Sequence, residues 1–180
     1  MRQKLLESVE IPQGVSCEVS NKILKCAKGG KEVSLKVNVP EMSIFIKENK
    51  IFLECIRGNK GKRNIMMSYL AHIKKTFFGL DNDYIYKLES CNVHFPMTLK
   101  VEGDKLTINN FLGEKTPRLA RILSGVKVEV KGAKITITSS DKDAAGQTAA
   151  NFERATKIRN RDRRIFQDGI FITDRPGGVK

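Results

Sequence analysis

The chain has 180 residues, 40% of them hydrophobic and 7% aromatic, with no Trp. That is enough apolar material for one domain or two small ones with aliphatic cores, and too much for a disordered protein. Lys and Arg number 33 against 20 Asp and Glu, a net charge of +13. Self-repulsion of that size opposes compaction unless a polyanion neutralises it, so nucleic acid is the first partner class and an anionic membrane surface the second.

The opening "MRQKLLESVEIPQG" lacks the apolar stretch and small-residue cleavage site of a secretory signal. The most apolar runs, "MSIFI" and "IFLECI", fall far short of the ~20 residues needed to span a bilayer. Cys17, Cys26, Cys55 and Cys91 form no CxxC pair, and His72 and His94 add no zinc-ligand spacing. The cysteines read as reduced, buried thiols of a cytoplasmic protein that needs no metal or other cofactor.

In the first half, Ile44, Ile46, Ile51 and Leu53 alternate about Glu48-Asn49, the pattern of a hairpin with one apolar face. Phe45, Phe52 and Phe95 alternate with polar neighbours and are expected in the core. "RGNKGKR", Arg57 to Arg63, carries bases without an acid just before a helical pattern. It is either an anion site at a helix N-terminus or a mobile basic loop. Ile65, Met66, Tyr69, Leu70, Ile73 and Phe77 then recur at helical spacing, with Gly79 placed to stop the helix. Gly79 to Ser90 holds the expected linker, with "YIYKLES" as a strand entering the second half.

That second half repeats the first. "FIKENKIFLE" (Phe45 to Glu54) matches "EVKGAKITIT" (Glu129 to Thr138), and Val19, Ile23 and Gly30 find counterparts in Val101, Leu106 and Gly113, at an offset of 82 to 84 residues. Val126, Val128 and Val130 alternate with Lys127, Glu129 and Lys131; Gly132-Ala133 reverses the chain, and Ile135 and Ile137 resume the apolar face. A helix follows, with Ser140 as expected N-cap, Asp143 in its first turn, and Ala145, Thr148, Phe152 and Ala155 as its inward stripe. The expected fold is α+β: two tandem duplicated domains (1–80 and 81–160), each a small antiparallel sheet packed against one helix, and a basic C-terminal extension (161–180).

Charge concentrates in the second unit. Lys115, Arg118 and Arg121 lie in or beside the loop "NFLGEKTPRLAR". After Phe152 the run "ERATKIRNRDRRIF" spaces Arg154, Lys157, Arg161 and Arg164 by three or four, with Glu153 and Asp162 too few to neutralise them. Arginine predominates, and its planar fork suits phosphate and stacked bases. Either a continuing helix places these residues on one face, or an extended ribbon lines them up. No helix-turn-helix, zinc finger or basic zipper points to DNA, and no exposed aromatic pair points to base reading, so structured RNA recognised by shape and backbone is favoured. Nucleophile, base and carboxylate residues show no catalytic grouping.

Four stretches, "VHFPM", "NFLGEK", "QTAANFE" and "RRIFQDGIFI", carry a resemblance. Over essentially its whole length the chain resembles the ribosomal protein L-six family of the large subunit, in its archaeal and eukaryotic form. Arg164, Phe166, Asp168, Gly169, Ile170 and Phe171 fill that branch's closing signature, with Phe171 where Tyr is expected. The resemblance implies a non-enzymatic constituent of the cytoplasmic ribosome. It binds large-subunit rRNA near the sarcin–ricin loop and stalk base, with neighbouring ribosomal proteins, stalk-base proteins and translational GTPases close by. By matching motif, Lys115 and Arg164 are the expected rRNA contacts. Charge adds Arg118, Arg121, Arg154, Lys157, Arg159, Arg161 and Arg163. Arg159 to Arg164 are expected along phosphates, Phe166, Ile170 and Phe171 as anchors, Asp168-Gly169 as a turn, and the end from Thr173 onward as disordered without RNA. The alternative is a ribosome-biogenesis or general structured-RNA-binding factor.

Overall fold

A computed structural model describes residues 3–162 and 164–177. The chain divides into two compact units between Asn82 and Asp83. The N-terminal unit holds two three-stranded antiparallel sheets and one helix. Strands β1 (Gln3–Glu10), β6 (Lys50–Gly58) and β5 (Met42–Lys47) form one sheet in that order. Strands β2 (Ser16–Ser20), β3 (Ile23–Lys28) and β4 (Lys31–Lys36) form the other. The turns that join them follow their residues: Asn21-Lys22 and Glu48-Asn49 have both central φ angles positive, which matches the twist of the flanking strands.

Helix α1 (Lys60–Asp81) turns Met66, Leu70, Ile73, Phe77 and Leu80 onto Leu24, Val33, Ile44, Ile51 and Leu53. The spacing of those helical residues, alternately four and three, is the apolar stripe of a helix lying on a sheet. Gly79 does not stop α1. It is buried within the last turn, and the helix ends at Asn82, whose N–H reaches the Phe78 carbonyl. Packing of Phe77 and Leu80 outweighs the ~1 kcal/mol that glycine costs a helix. Ile65, expected inward, is exposed.

The C-terminal unit pairs β11 (Lys127–Lys131), β12 (Lys134–Ser139), β7 (Tyr84–Cys91) and β13 (Gly169–Asp174) in a four-stranded antiparallel sheet. Strands β10 (Arg118–Arg121), β9 (Lys105–Asn109) and β8 (Thr98–Glu102) form a three-stranded one. Helix α2 (Lys142–Ala155) buries Ala144, Ala145, Thr148, Ala149 and Phe152. Its cap is Asp141, one residue later than the sequence suggests: the Asp141 carboxylate accepts from the Asp143 N–H at 2.9 Å. Ser139, buried at the end of β12, instead accepts from the Asp141 N–H and donates to the Gly125 carbonyl.

Three further expectations are corrected. Each unit is built on two sheets rather than one, because strands outside the recognised hairpins pair among themselves. The expected disorder from Thr173 onward does not hold for Thr173 and Asp174, and the last part of that stretch, 178–180, lies outside the described residues. Residues Gly169–Asp174 are β13, which pairs along the free side of β7, satisfies that edge, and buries Ile170 completely. Thr173 donates its hydroxyl to the Lys87 carbonyl, and Asp174 pairs with Lys87 at 3.1 Å. Finally, Phe45, Phe52 and Phe95 are not core residues: Phe45 and Phe95 are exposed and Phe52 is half-buried.

Of the cysteines, Cys26 and Cys55 are buried, Cys17 is half-buried and Cys91 is exposed, so the expectation of four buried thiols holds for two. Cys17 and Cys26 face each other across β2 and β3 with Sγ atoms 2.9 Å apart, and burial first, then Cys17, pushes the Cys26 thiol well above its ordinary pKa.

Candidate nucleic-acid interface

The basic surface begins where α2 stops. Thr156 caps the helix, and its buried hydroxyl is shared between the Phe152 and Glu153 carbonyls at 3.3 Å. The same oxygen accepts from the Ile170 N–H at 2.9 Å. The chain leaves the helix axis there, and Lys157, Arg159 and Arg161 follow as an irregular ribbon, not as a continued helical face. Arg154 projects from the last helical turn, where the helix dipole favours a cation. With Arg118, these residues line an open concavity of about 540 Å³ whose apolar floor includes Leu112, Leu119 and Ile158.

Arg118 holds the wall of this concavity. Its Nε and Nη2 donate to the two carboxylate oxygens of Glu114 at 2.7 and 2.5 Å, its Nη1 donates to the Ala155 carbonyl at 2.9 Å, and its guanidinium lies 4.3 Å over the Phe111 ring. The pairing with Arg118 pulls the Glu114 carboxyl below its ordinary pKa. Three of five N–H donors are spent, which leaves two for a ligand. By contrast, no ion pair among the described residues engages Arg154, Lys157 or Arg159. Their charge is open to an incoming polyanion.

The ribbon is folded back by a column of stacked groups. Arg161 lies 4.7 Å over the Phe166 ring, and Phe166 stacks on His94 at 4.8 Å. His94 Nδ1 is 2.6 Å from Asp168 Oδ2. Asp168 is 2% exposed and also accepts from the Val93 and His94 N–H groups at 2.8 and 3.0 Å. Burial alone would raise its pKa, but the His94 N–H, the His94 ring and the Val93 N–H together outweigh burial and hold the carboxyl below its ordinary value. Asp168 is therefore a buried clamp that joins the "VHFPM" loop to the end of the chain, where the sequence suggested only a turn. An open cavity of about 890 Å³ beside this clamp is lined by Arg154, Lys157, Phe166 and Phe171 among others.

The remaining site residues fall elsewhere. Lys115 is exposed in the loop after the single 3-10 turn Phe111–Gly113. Arg121 is three positions from Arg118 on β10, so the pleat turns it to the opposite face, beside Asn151, whose side chain donates to the Arg121 carbonyl. Arg164 is held by Asp162, whose carboxylate accepts from the Arg164 N–H, Nε and Nη2. That side-chain bond, followed by the backbone one, lowers the Asp162 pKa, so Asp162 does neutralise one arginine of the run. The pair is exposed, and such pairs contribute little in water. Arg163 lies outside the described residues.

"RGNKGKR" is not a mobile loop. It passes into the first turn of α1, where the Asn59 side chain accepts from the Lys62 N–H and Lys62 pairs with Glu41. His94 and Phe166 were not singled out together from the sequence, because only the fold brings residues 72 positions apart into a stack.

The model of the family described as ribosomal protein L6 matches residues 95–169, which span β8 to the start of β13 and include the basic concavity. The chain is 38% identical over 173 residues to large ribosomal subunit protein uL6 of Methanococcus vannielii, covering 96% of this chain and 95% of that one. It is 40% identical over 177 residues to large ribosomal subunit protein uL6 of Methanocella arvoryzae, covering 97% and 99%. Likeness at this level over nearly the full length of both relatives places the chain in the uL6 family of large-ribosomal-subunit proteins, structural components of the cytoplasmic ribosome rather than enzymes.

Proposed function

We propose that the C-terminal unit fixes this protein to large-subunit rRNA near the sarcin–ricin loop and the stalk base, so that it supports the region where translational GTPases act. The observation that carries the reading is the concavity edged by Arg154, Lys157, Arg159 and Arg161, in which the first three have no carboxylate partner among the described residues. An RNA phosphate at these positions replaces no internal ion pair. Lys115 and Arg164 flank the same unit, and Arg164 exchanges Asp162 for phosphate at small cost because that pair is exposed. Arg118 acts mainly by holding the wall and secondarily through its two free donors, Arg121 extends the contact beyond the concavity, and Arg163 adds its charge to the same basic run. The two units descend from one duplicated unit; each orders its strands before a single covering helix, and β13 is the addition particular to the second.

The test is ultraviolet crosslinking in purified large subunits, followed by mapping of the attached nucleotides. Adducts to Lys115, Lys157 and Arg159 that map to the sarcin–ricin and stalk-base helices are expected. Adducts mapping to a distant rRNA domain would displace the proposed location. One copy per subunit should survive high-salt washing, whereas a biogenesis factor would leave substoichiometrically.

A further inference from the structure

We propose that the outward face of the β1–β6–β5 sheet docks a neighbouring protein of the large subunit, through an apolar stripe of Phe45, Phe52, Leu6 and Ile56. The inference rests on family membership and is independent of where the C-terminal unit meets RNA.

The stripe follows from register. Phe45 and Phe52 are direct partners across β5 and β6, and their rings stack at 5.4 Å and 11°. Leu6 lies opposite Glu54, which sets it diagonally between Phe52 and Ile56 on the same face. The alternate residues of these strands, Val9, Ile44, Ile51 and Leu53, already form the core beneath α1. The sheet thus carries large apolar side chains on its outer face as well as its core face, set there beside Ser8 and Glu54 and bordered by the paired lysines. Among the described residues of this unit, α1 covers one side, and on the other Leu6 is 52% exposed, Ile56 67% and Phe45 37%.

Charge identifies the occupant. Lys4 pairs with Glu54 at 2.5 Å, Lys50 with Glu10 at 2.8 Å and Lys47 with Glu48 at 3.7 Å. In a chain of net charge +13, the lysines around this stripe are each matched by a carboxylate. Among the described residues, an RNA backbone would meet on this face three carboxylates that already hold its lysines, whereas nucleic-acid interfaces depend on uncompensated Lys and Arg. Protein interfaces have the opposite centre, rich in aromatic residues and depleted of net charge, inside a polar rim. The partner surface is therefore apolar and near neutral.

The test replaces Phe45 with the photo-crosslinker p-benzoylphenylalanine in the full chain, incorporates it into large subunits, irradiates, and identifies the adduct by mass spectrometry. An adduct to another large-subunit protein is expected. Its yield should fall at least about tenfold when Leu6→Asp and Ile56→Asp are added, because a charge placed at the centre of an apolar contact costs well over the ~1.4 kcal/mol of a tenfold change. An adduct to rRNA, an adduct to a second copy of this chain, or no adduct overturns the proposal. A second measurement covers a probe-bearing chain that fails to incorporate: hydroxyl-radical oxidation of Leu6 and Phe45 in the unaltered chain, free and within large subunits. Protection on assembly is expected, and equal oxidation in both overturns the proposal.

Discussion

Asp168 shows how a single side chain sets up the basic surface. It is buried yet ionised, because two N–H groups and the His94 ring point at it. Asp168→Asn removes the charge and one acceptor, and leaves a buried donor unpaired. We expect a loss of about 1–3 kcal/mol at pH 7, read by urea unfolding. The folded-state pKa lies below the unfolded value of about 4, so this contribution is complete above pH ~4 and is lost as pH falls through the folded-state pKa. The wild-type advantage over Asp168→Asn should narrow in acid; an advantage that grows as pH falls would contradict the clamp. Thr156 makes a comparable link. Thr156→Val strands the Ile170 N–H and should also cost about 1–3 kcal/mol, while Thr156→Ser should restore most of it. Neither role is visible in sequence. Asp before Gly reads as a turn and Thr at a helix end as a cap, and the partners that give them a second role lie 14 to 75 positions away.

Among the elements, α2 is the most legible and its glycine the most instructive. The small inward stripe follows from the spacing of Ala145, Thr148 and Phe152, and the structure buries all three. Gly146 looks like a defect by helix propensity, worth ~1 kcal/mol to repair with Ala. A Cβ there would stand 2.9 Å from the Tyr86 hydroxyl, so the helix can approach β7 only without one. Gly146→Ala should therefore destabilise, since overpacking costs about 1–3 kcal/mol. In a Tyr86→Phe background the same change should become neutral or stabilising, because the nearest remaining ring atom is 3.4 Å away. A double-mutant cycle by thermal unfolding reads the coupling, and additive effects would refute the contact. Strand faces were less legible. Alternation at Phe45 and Phe52 fits a core face as well as a solvent face, and only register against Leu53 and Ile51 decides between them.

At the scale of the molecule, the proposed RNA contact is electrostatic and should titrate with salt. Neutralising about six phosphates implies an affinity loss of ~10³–10⁵-fold between 50 and 200 mM salt. Alanine at Arg154, Lys157 or Arg159 should each lower the slope of log K against log salt by ~1, with folding unchanged. Arg118→Ala should instead lower stability, because its side chain joins Glu114, Phe111 and the end of α2. Filter binding to large-subunit rRNA checks the slopes, and a flat salt response would exclude the phosphate contact.

Composition and periodicity determined the excess of positive charge, the α+β class and the two hairpins with their turns, because charge and short-range alternation are properties of neighbours in the chain, while four short motifs carried the resemblance to the family. Tertiary structure decided how the closing segment is used. Ile170 and Ile172 pair with β7 as β13, and Asp168 and Thr156 hold the ribbon that carries Lys157, Arg159 and Arg161. It also decided which arginines are open and which are engaged by Glu114 or Asp162. Those outcomes depend on contacts between distant residues, and a guanidinium's partner is fixed by where the backbone brings a carboxylate, not by what stands beside it in sequence.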